Sequence, residues 1–229
     1  MHFCSLYKKG AALVSLLFCF TFSVFSLNPD FLNTLTIINK SEKPIYYLFI
    51  SPGDSEYWGP EILGSERSLN PEDTLSFYIH YAHNCDNFDI IALTEENIPA
   101  RRLDYEICDG TKAEITLRTE DFSGEPPAFS YIEVTIANKV KTPLYHLFFS
   151  PADSIHWGVD FLDQNTTLAD NQNATYLVPQ PSEGDRRYDI LGMDKSGKEY
   201  RVEISISDTN AEFELNKEYQ VEPIIKTNQ

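Results

Sequence analysis

Basic side chains are scarce in this chain: 18 Lys and Arg stand against 35 Asp and Glu, for a formal charge of −17. A surface of that sign repels phosphate backbones and anionic lipid heads, which removes nucleic acid from the partner classes. Long stretches with helical spacing are missing, as are a glycine-rich phosphate loop and an HExxH pair. The acidic groups Glu95-Glu96 and Asp160-x-x-Asp163 do not follow the EF-hand ladder and read as solvated faces. Cysteine is limited to four residues and tryptophan to two. What is plentiful is apolar and aromatic surface, at 42% and 13% of the 229 residues, enough for folded cores and too much for wholesale disorder.

Lys8 and Lys9 precede an uncharged run from Ala11 to Leu27. This is the pattern of a secretory signal peptide over residues 1–26, with cleavage after Ser26. The run is close to membrane-helix length, so an uncleaved anchor through residues 11–27 is the alternative, and the only membrane association the sequence suggests. Lipidation at Cys19 is disfavoured by the bulky Phe18 before it. Loss of Lys8 and Lys9 with the leader takes the charge from −17 to −19. Cys4 and Cys19 fall in the leader, which leaves Cys85 and Cys108 in the exported part.

The strongest signal is an internal repeat. Residues 35–63, LTIINKSEKPIYYLFISPGDSEYWGPEIL, align without a gap on residues 134–162, VTIANKVKTPLYHLFFSPADSIHWGVDFL, with 15 identities at a constant offset of 99. The match continues at Phe88-Asp89-Ile90 against Tyr188-Asp189-Ile190, now offset by 100, and at Arg102-Leu103 against Arg201-Val202. A whole unit has been duplicated. We read residues 31–118 and 130–225 as two copies, each expected to carry its own core, with residues 119–129 (TEDFSGEPPAF) as a turn-rich linker.

Alternation of period two, as in Ile132, Val134 and Ile136 or Ala113, Ile115 and Leu117, predicts strands with one face on a core. IYYLFI (45–50) and LYHLFF (144–149) are apolar on both parities and predict central strands bounded by Pro44, Pro52, Pro143 and Pro151. Further strands are expected at 74–80, 87–94 and 101–107, and at 173–178, 187–193 and 199–206. The fold class is therefore all-β: two tandem antiparallel β-sandwiches of immunoglobulin-like kind behind a signal peptide.

The most closely repeated segment is Ser51-Pro52-x-Asp54-Ser55-x-x-Trp58-Gly59, matched by Ser150-Pro151-x-Asp153-Ser154-x-x-Trp157-Gly158. Asp and Ser satisfy backbone N–H groups in turns, and a Trp closes the end of a sandwich, which is the structural account. The same types also make an aromatic platform beside hydrogen-bonding groups, suited to a sugar ring or an extended peptide. Trp58, Trp157, Asp54, Asp153, Ser55 and Ser154 are accordingly the binding candidates. The segment resembles one found after the second strand in uncharacterised exported bacterial β-rich domains. That resemblance covers both copies and implies an envelope or secreted protein, with no activity to carry across.

Cys85 and Cys108 flank the 87–107 strand pair, and their counterparts Asp185 and Ser207 are both non-cysteine. Joint presence and joint loss point to a disulfide. A metal or a catalytic thiol at Cys85 and Cys108, helped by His80, His83 and Asp86, is the rival; the metal is weakened because His80 and His83 on a strand would point to opposite faces. Ser154, His156 and Asp160 contain the residue types of a nucleophilic triad, but the first copy lacks the His and no nucleophile elbow is present. Sequons stand at Asn39, Asn165 and Asn173. The sequence thus reads as a non-enzymatic exported protein without metal or cofactor, binding a carbohydrate, an envelope protein or another envelope component. A purely structural envelope role and a hydrolase using the second copy are the rivals.

Overall fold

The computed structural model describes residues 32–64, 67–110, 112–128, 130–162, 165–180 and 184–221. The leader, the alternative anchor at 11–27, Cys4, Cys19 and Asp163 lie outside them. Within the described residues no helix is long and apolar enough to cross a membrane.

Alternating sequence becomes alternating burial. In β6 (Ala113–Arg118), Ala113, Ile115 and Leu117 are buried while Glu114 and Arg118 are exposed. The first copy contributes five further strands: β1 (Asn33–Lys40), β2 (Tyr47–Pro52), β3 (Thr74–His80), β4 (Cys85–Leu93) and β5 (Pro99–Cys108). The second contributes β7 (Tyr131–Lys139), β8 (Leu144–Pro151), β9 (Gly158–Val159), β10 (Asn173–Pro179), β11 (Arg186–Asp194), β12 (Glu199–Ile206), β13 (Ala211–Asn216) and β14 (Gln220–Val221). The predicted strands fall on these elements. The two-residue β9 and β14 and the six-residue β13 are additions.

Each copy splits its strands between two sheets. β1 and β3 share one and β2, β4 and β5 the other; in the second copy the sets are β7 with β10, and β8 with β11 and β12. The chain therefore changes sheet at each step from β1 to β4 and again from β5 to β6, while β4 and β5 are paired neighbours in one sheet, as are β11 and β12. The expected antiparallel pairing holds for β1–β3, β2–β4 and β4–β5 and for their counterparts. It does not hold for the last long strand of each copy: β6 runs parallel to β1 and β13 parallel to β7. A parallel neighbour needs a crossover connection, here the excursion through the opposite sheet.

Repeated polar residues do repeated structural work. Asn39 and Asn138 are fully buried, and each donates from Nδ2 to two carbonyls in its own copy, those of Lys43 and Leu69 or of Thr142 and Leu168. Asn39 is thus closed to glycosylation. Cys85 and Cys108 face each other across β4 and β5 and are joined, as expected. Closing a loop with a sequence separation of 23 contributes about 3 kcal/mol in the chain-entropy picture.

The expectation of separate cores is modified. One continuous cluster of buried apolar side chains takes members from both copies, including Leu35, Ile50 and Phe77 of the first and Val134, Phe149 and Tyr188 of the second. Sheet edges also cross over. β9 of the second copy pairs with β3 of the first through Ile79↔Val159 and His80↔Gly158. Asp160 N–H then donates to the Tyr78 carbonyl at 2.8 Å, and Glu61 N–H donates to the Leu177 carbonyl at 2.8 Å. These two bonds are the same bond exchanged, because 61 and 78 correspond to 160 and 177 at the repeat offset.

Candidate functional site

β2 and β8 end in the repeated Ser-Pro, where proline removes the N–H that would continue the ladder. A tight turn follows, with Ser55 N–H donating to the Pro52 carbonyl and Ser154 N–H to that of Pro151, each at 3.3 Å. Ser51 and Ser150 brace it from behind: Ser51 Oγ accepts from Gly59 N–H at 2.9 Å, and Ser150 Oγ donates to the His156 carbonyl at 2.7 Å. Gly158 takes the left-handed region at φ 70°, and a Cβ there would lie 3.9 Å from the Pro52 ring of the other copy.

The Asp residues of these turns reach across the copy boundary. Asp153 accepts the Ser55 hydroxyl at 2.9 Å on Oδ1 and Glu56 N–H at 3.0 Å on Oδ2. Asp54 accepts the Ser154 hydroxyl at 2.6 Å on Oδ1 and Ile155 N–H at 3.2 Å on Oδ2. This is the self-complementary pattern of a two-fold contact, made here within one chain. Tyr57 OH donates to the Arg187 carbonyl and Tyr188 OH to the Trp58 carbonyl, extending the contact on one side.

The tryptophans complete it. Trp157 is 2% exposed and packs with Phe148, Leu191 and Met193, while Leu32 of the first copy also covers this cluster. Trp58 is half-buried against Phe49, Ile91 and Leu93, with Tyr131 of the second copy on the same cluster. Tyr131 stacks on both Tyr47 and Phe49 at interplanar angles of 10°. Burial pushes its phenol up to about 12, helped by the neighbouring Glu61 carboxylate. Leu32 and Tyr131 hold equivalent places at the start of the two copies, and each packs on the Trp-containing cluster of the other copy. The Arg201 guanidinium lies 5.2 Å from the Trp157 ring centroid.

Four of the six binding candidates, Asp54, Ser55, Asp153 and Ser154, are therefore brought together against each other, while Trp58 and Trp157 lie in two separate clusters. Trp157 and Ser154, 2% and 4% exposed, have no open face to offer a ligand, which corrects the expectation of an open platform at those two residues. Asp54, Asp153 and Ser55 have solvent access, yet their polar atoms are engaged across the boundary. The triad types fare no better. The Ser154 hydroxyl is held by Asp54, and the Asp160 carboxylate binds His146 Nδ1 at 2.6 Å.

Asp160 and Glu61 occupy one repeat position and are both fully buried. Glu61 accepts from Leu48, Leu63 and Gly64 N–H groups, and Asp160 from those of Leu147 and Leu162. Removal from water raises both carboxyls, Glu61 to about 7, against the opposing pull of His146 at Asp160, of these N–H donors at both, and of Arg67 at Glu61. Their repeated role is to hold the bend between β2 or β8 and the segment that crosses to the other copy.

One further cluster draws on both copies. His83 Nδ1 lies 2.9 Å from Asp86 Oδ1, and Asp86 Oδ2 lies 3.4 Å from Nδ1 of the buried His156. Asp54 Oδ2 stands 3.7 Å from the other ring nitrogen of His156. The sequence places His83 and Asp86 close together but gives no sign of His156, 73 and 70 positions further along the chain. Cys85 and Cys108 drop out of any ligand set because their sulfurs are bonded to each other.

No protein-family model matches the chain, and no curated protein matches it. Among solved structures it is similar to a family CBM26 carbohydrate-binding module of Amy13K from Eubacterium rectale, solved with maltoheptaose: 14% identity over 80% of this chain and 91% of that one, TM-score 0.24. A candidate adhesin from Bacteroides ovatus shows 8% identity over 81% and 92%, TM-score 0.21. Fibronectin(III)-like modules of CbhA from Clostridium thermocellum show 10% identity over 81% and 94%, TM-score 0.19. Overlaps this loose extend none of those ligands to this chain.

Proposed function

We propose that this is an exported, non-enzymatic binding protein of the periplasm or the extracellular space, recognising a carbohydrate or another envelope component. Its two copies act as one rigid body. In this reading the Ser-Pro-x-Asp-Ser-x-x-Trp-Gly segment is the internal fastener, and recognition falls to other residues. One observation supports where. Among the described residues the large hydrophobic side chains left exposed are Tyr46, Leu103 and Tyr145, and Tyr46 and Tyr145 hold the same repeat position, each 38% exposed.

A ring left in water at one position of both copies offers an apolar face with a polar tip, which suits a sugar ring. Two such rings on one body give avidity without a flexible linker. Lys195 Nζ, 6.0 Å from the Tyr145 ring centroid, adds a hydrogen-bond donor beside one of them.

The test is affinity electrophoresis through gels carrying soluble glucans, with co-sedimentation on purified peptidoglycan sacculi. The mature wild-type chain should be retarded or co-sediment. The Tyr46→Ala/Tyr145→Ala variant should lose at least ten-fold in affinity with an unchanged melting temperature. Retention by the double variant equal to wild type would move recognition away from these rings. No retention of the wild type on any of these polymers would favour the purely structural role.

A further inference from the structure

We propose that His83, Asp86 and His156 form a binding site for one divalent transition-metal ion of the zinc class, built jointly by the two copies. Their donor atoms lie within 4.8 Å of one another. Two imidazoles and one carboxylate make a borderline donor set that suits zinc, nickel or cobalt and is poor for calcium or magnesium, which want oxygen alone.

The local arrangement of donors and acceptors calls for a cation. Ala82 N–H donates to His156 Nδ1 at 3.0 Å, so that nitrogen presents electron density. The same nitrogen faces Asp86 Oδ2 at 3.4 Å, and that oxygen already accepts His83 N–H at 2.9 Å. A ring nitrogen and a carboxylate oxygen thus stand side by side inside the contact, two donor atoms that one cation can bridge. The ring's far nitrogen stands 3.7 Å from Asp54 Oδ2, longer than a hydrogen bond, and a slight approach would give the carboxylate–histidine pairing that orients metal-bound imidazoles. Phe88 packs 6.0 Å from the His156 ring and limits its freedom.

The opposite side of the two-fold contact makes an instructive contrast. Tyr57 stands where the second copy has His156, and Arg186 stands where the first copy has Asp86. There Arg186 lies 5.3 Å from the Tyr57 ring centroid and supplies a protein cation. Where the arginine is exchanged for aspartate, the tyrosine is exchanged for histidine. One side carries its own positive charge, and the other carries ligands for one.

Tetrahedral zinc with bonds near 2.0–2.1 Å needs its donors about 3.4 Å apart. Contraction from the present spread falls to His83, whose side chain is 62% exposed and would exchange its 2.9 Å contact with Asp86 Oδ1 for the metal. The bound ion would exchange the Ala82 hydrogen bond for a metal bond and leave a fourth position to water. It would also tie the β3–β4 turn of the first copy to the fastener of the second.

Isothermal titration of the intact mature chain with Zn²⁺, with Ca²⁺ as control, tests this, together with the visible absorption of added Co²⁺. We expect one saturable Zn²⁺ per chain, a Co²⁺ d–d band in the tetrahedral range, and a rise in melting temperature with Zn²⁺. His83→Gln, at an exposed position, should keep the metal-free melting temperature and lose at least ten-fold in Zn²⁺ affinity, as should Asp86→Asn. His156→Gln should abolish the Co²⁺ band; because that ring is buried, His83→Gln and Asp86→Asn decide the matter should the variant fail to fold. Absence of saturable Zn²⁺ binding overturns the site. So does wild-type affinity in both His83→Gln and Asp86→Asn, which would place the ion elsewhere on the acidic surface.

Discussion

Ser154 donates its hydroxyl to Asp54 at 2.6 Å, one hundred positions back along the chain. Asp153 answers by accepting the Ser55 hydroxyl at 2.9 Å. The segment that repeats most faithfully is thus the place where the copies hold one another.

Removal of either carboxylate should loosen that hold. Asp54→Ala and Asp153→Ala each delete one hydroxyl and one N–H bond to a partly exposed charge. Each should cost about 1–2 kcal/mol in urea unfolding. Losses below about 0.3 kcal/mol in both variants, the range of an ordinary surface substitution, would show that the fastener adds nothing to stability.

Glu61 sets a pH dependence. Burial raises its carboxyl from the ordinary 4.5 to about 7, so between those limits the folded chain binds more protons than the unfolded one. Stability from this group is fully present below pH 4.5 and falls as pH rises towards 7. Thermal melts of Glu61→Gln should show a flatter slope over that window than the wild type; the slope, not the absolute stability, is the readout. An unchanged slope would mean that Glu61 stays ionised across it.

Gly192 is closely approached by two buried leucines. A Cβ there would stand 2.6 Å from Leu215 Cδ2 and 2.9 Å from Leu144 Cδ1. The first copy has Ala92 at the matching position and Ile45 in place of Leu144. Gly192→Ala should therefore destabilise by about 1–3 kcal/mol, the usual cost of overpacking. Adding Leu144→Ile should recover part of it, as measured by chemical denaturation. No rescue would mean that Leu215 alone sets the clash.

Tryptophan emission reports the burial difference between the copies. Trp58→Phe leaves Trp157 as the sole fluorophore, which should emit in the blue and resist acrylamide. Trp157→Phe leaves the half-buried Trp58, which should be quenched more readily. Equal, efficient quenching of both would contradict the packing around Trp157.

Most of the fold is legible in the sequence. Duplication at a fixed offset and the period-two runs around Ile132 and Ala113 are local signals, and they fall on β7 and β6. The parallel setting of β6 on β1 is not legible, because alternation gives a strand's face and not its direction. β9 is invisible for a different reason: Gly158 and Val159 become a strand only by pairing with Ile79 and His80 of the other copy.

The candidate site is misleading in sequence at Trp157 and Ser154 because Asp, Ser and Trp serve a turn, a contact and a sugar platform equally well. One clue is present. A two-fold contact needs donor and acceptor on both partners, and Asp and Ser are both kept at both positions. Likewise the paired exchange of Asp86 with Arg186 and His156 with Tyr57 is readable in the aligned copies, but it becomes informative only once these residues are known to meet.

Reciprocal edge pairing, 158–160 on β3 and Glu61 on β10, has a bearing on ancestry. Each half lends the other what an identical protomer would lend in a symmetric homodimer, so the chain has the form of such a dimer encoded as a single polypeptide. Fusion fixes the stoichiometry and frees the halves to diverge, as they have at His156 and Tyr57. Produced alone, either half should self-associate through the strand edge its sibling now shields.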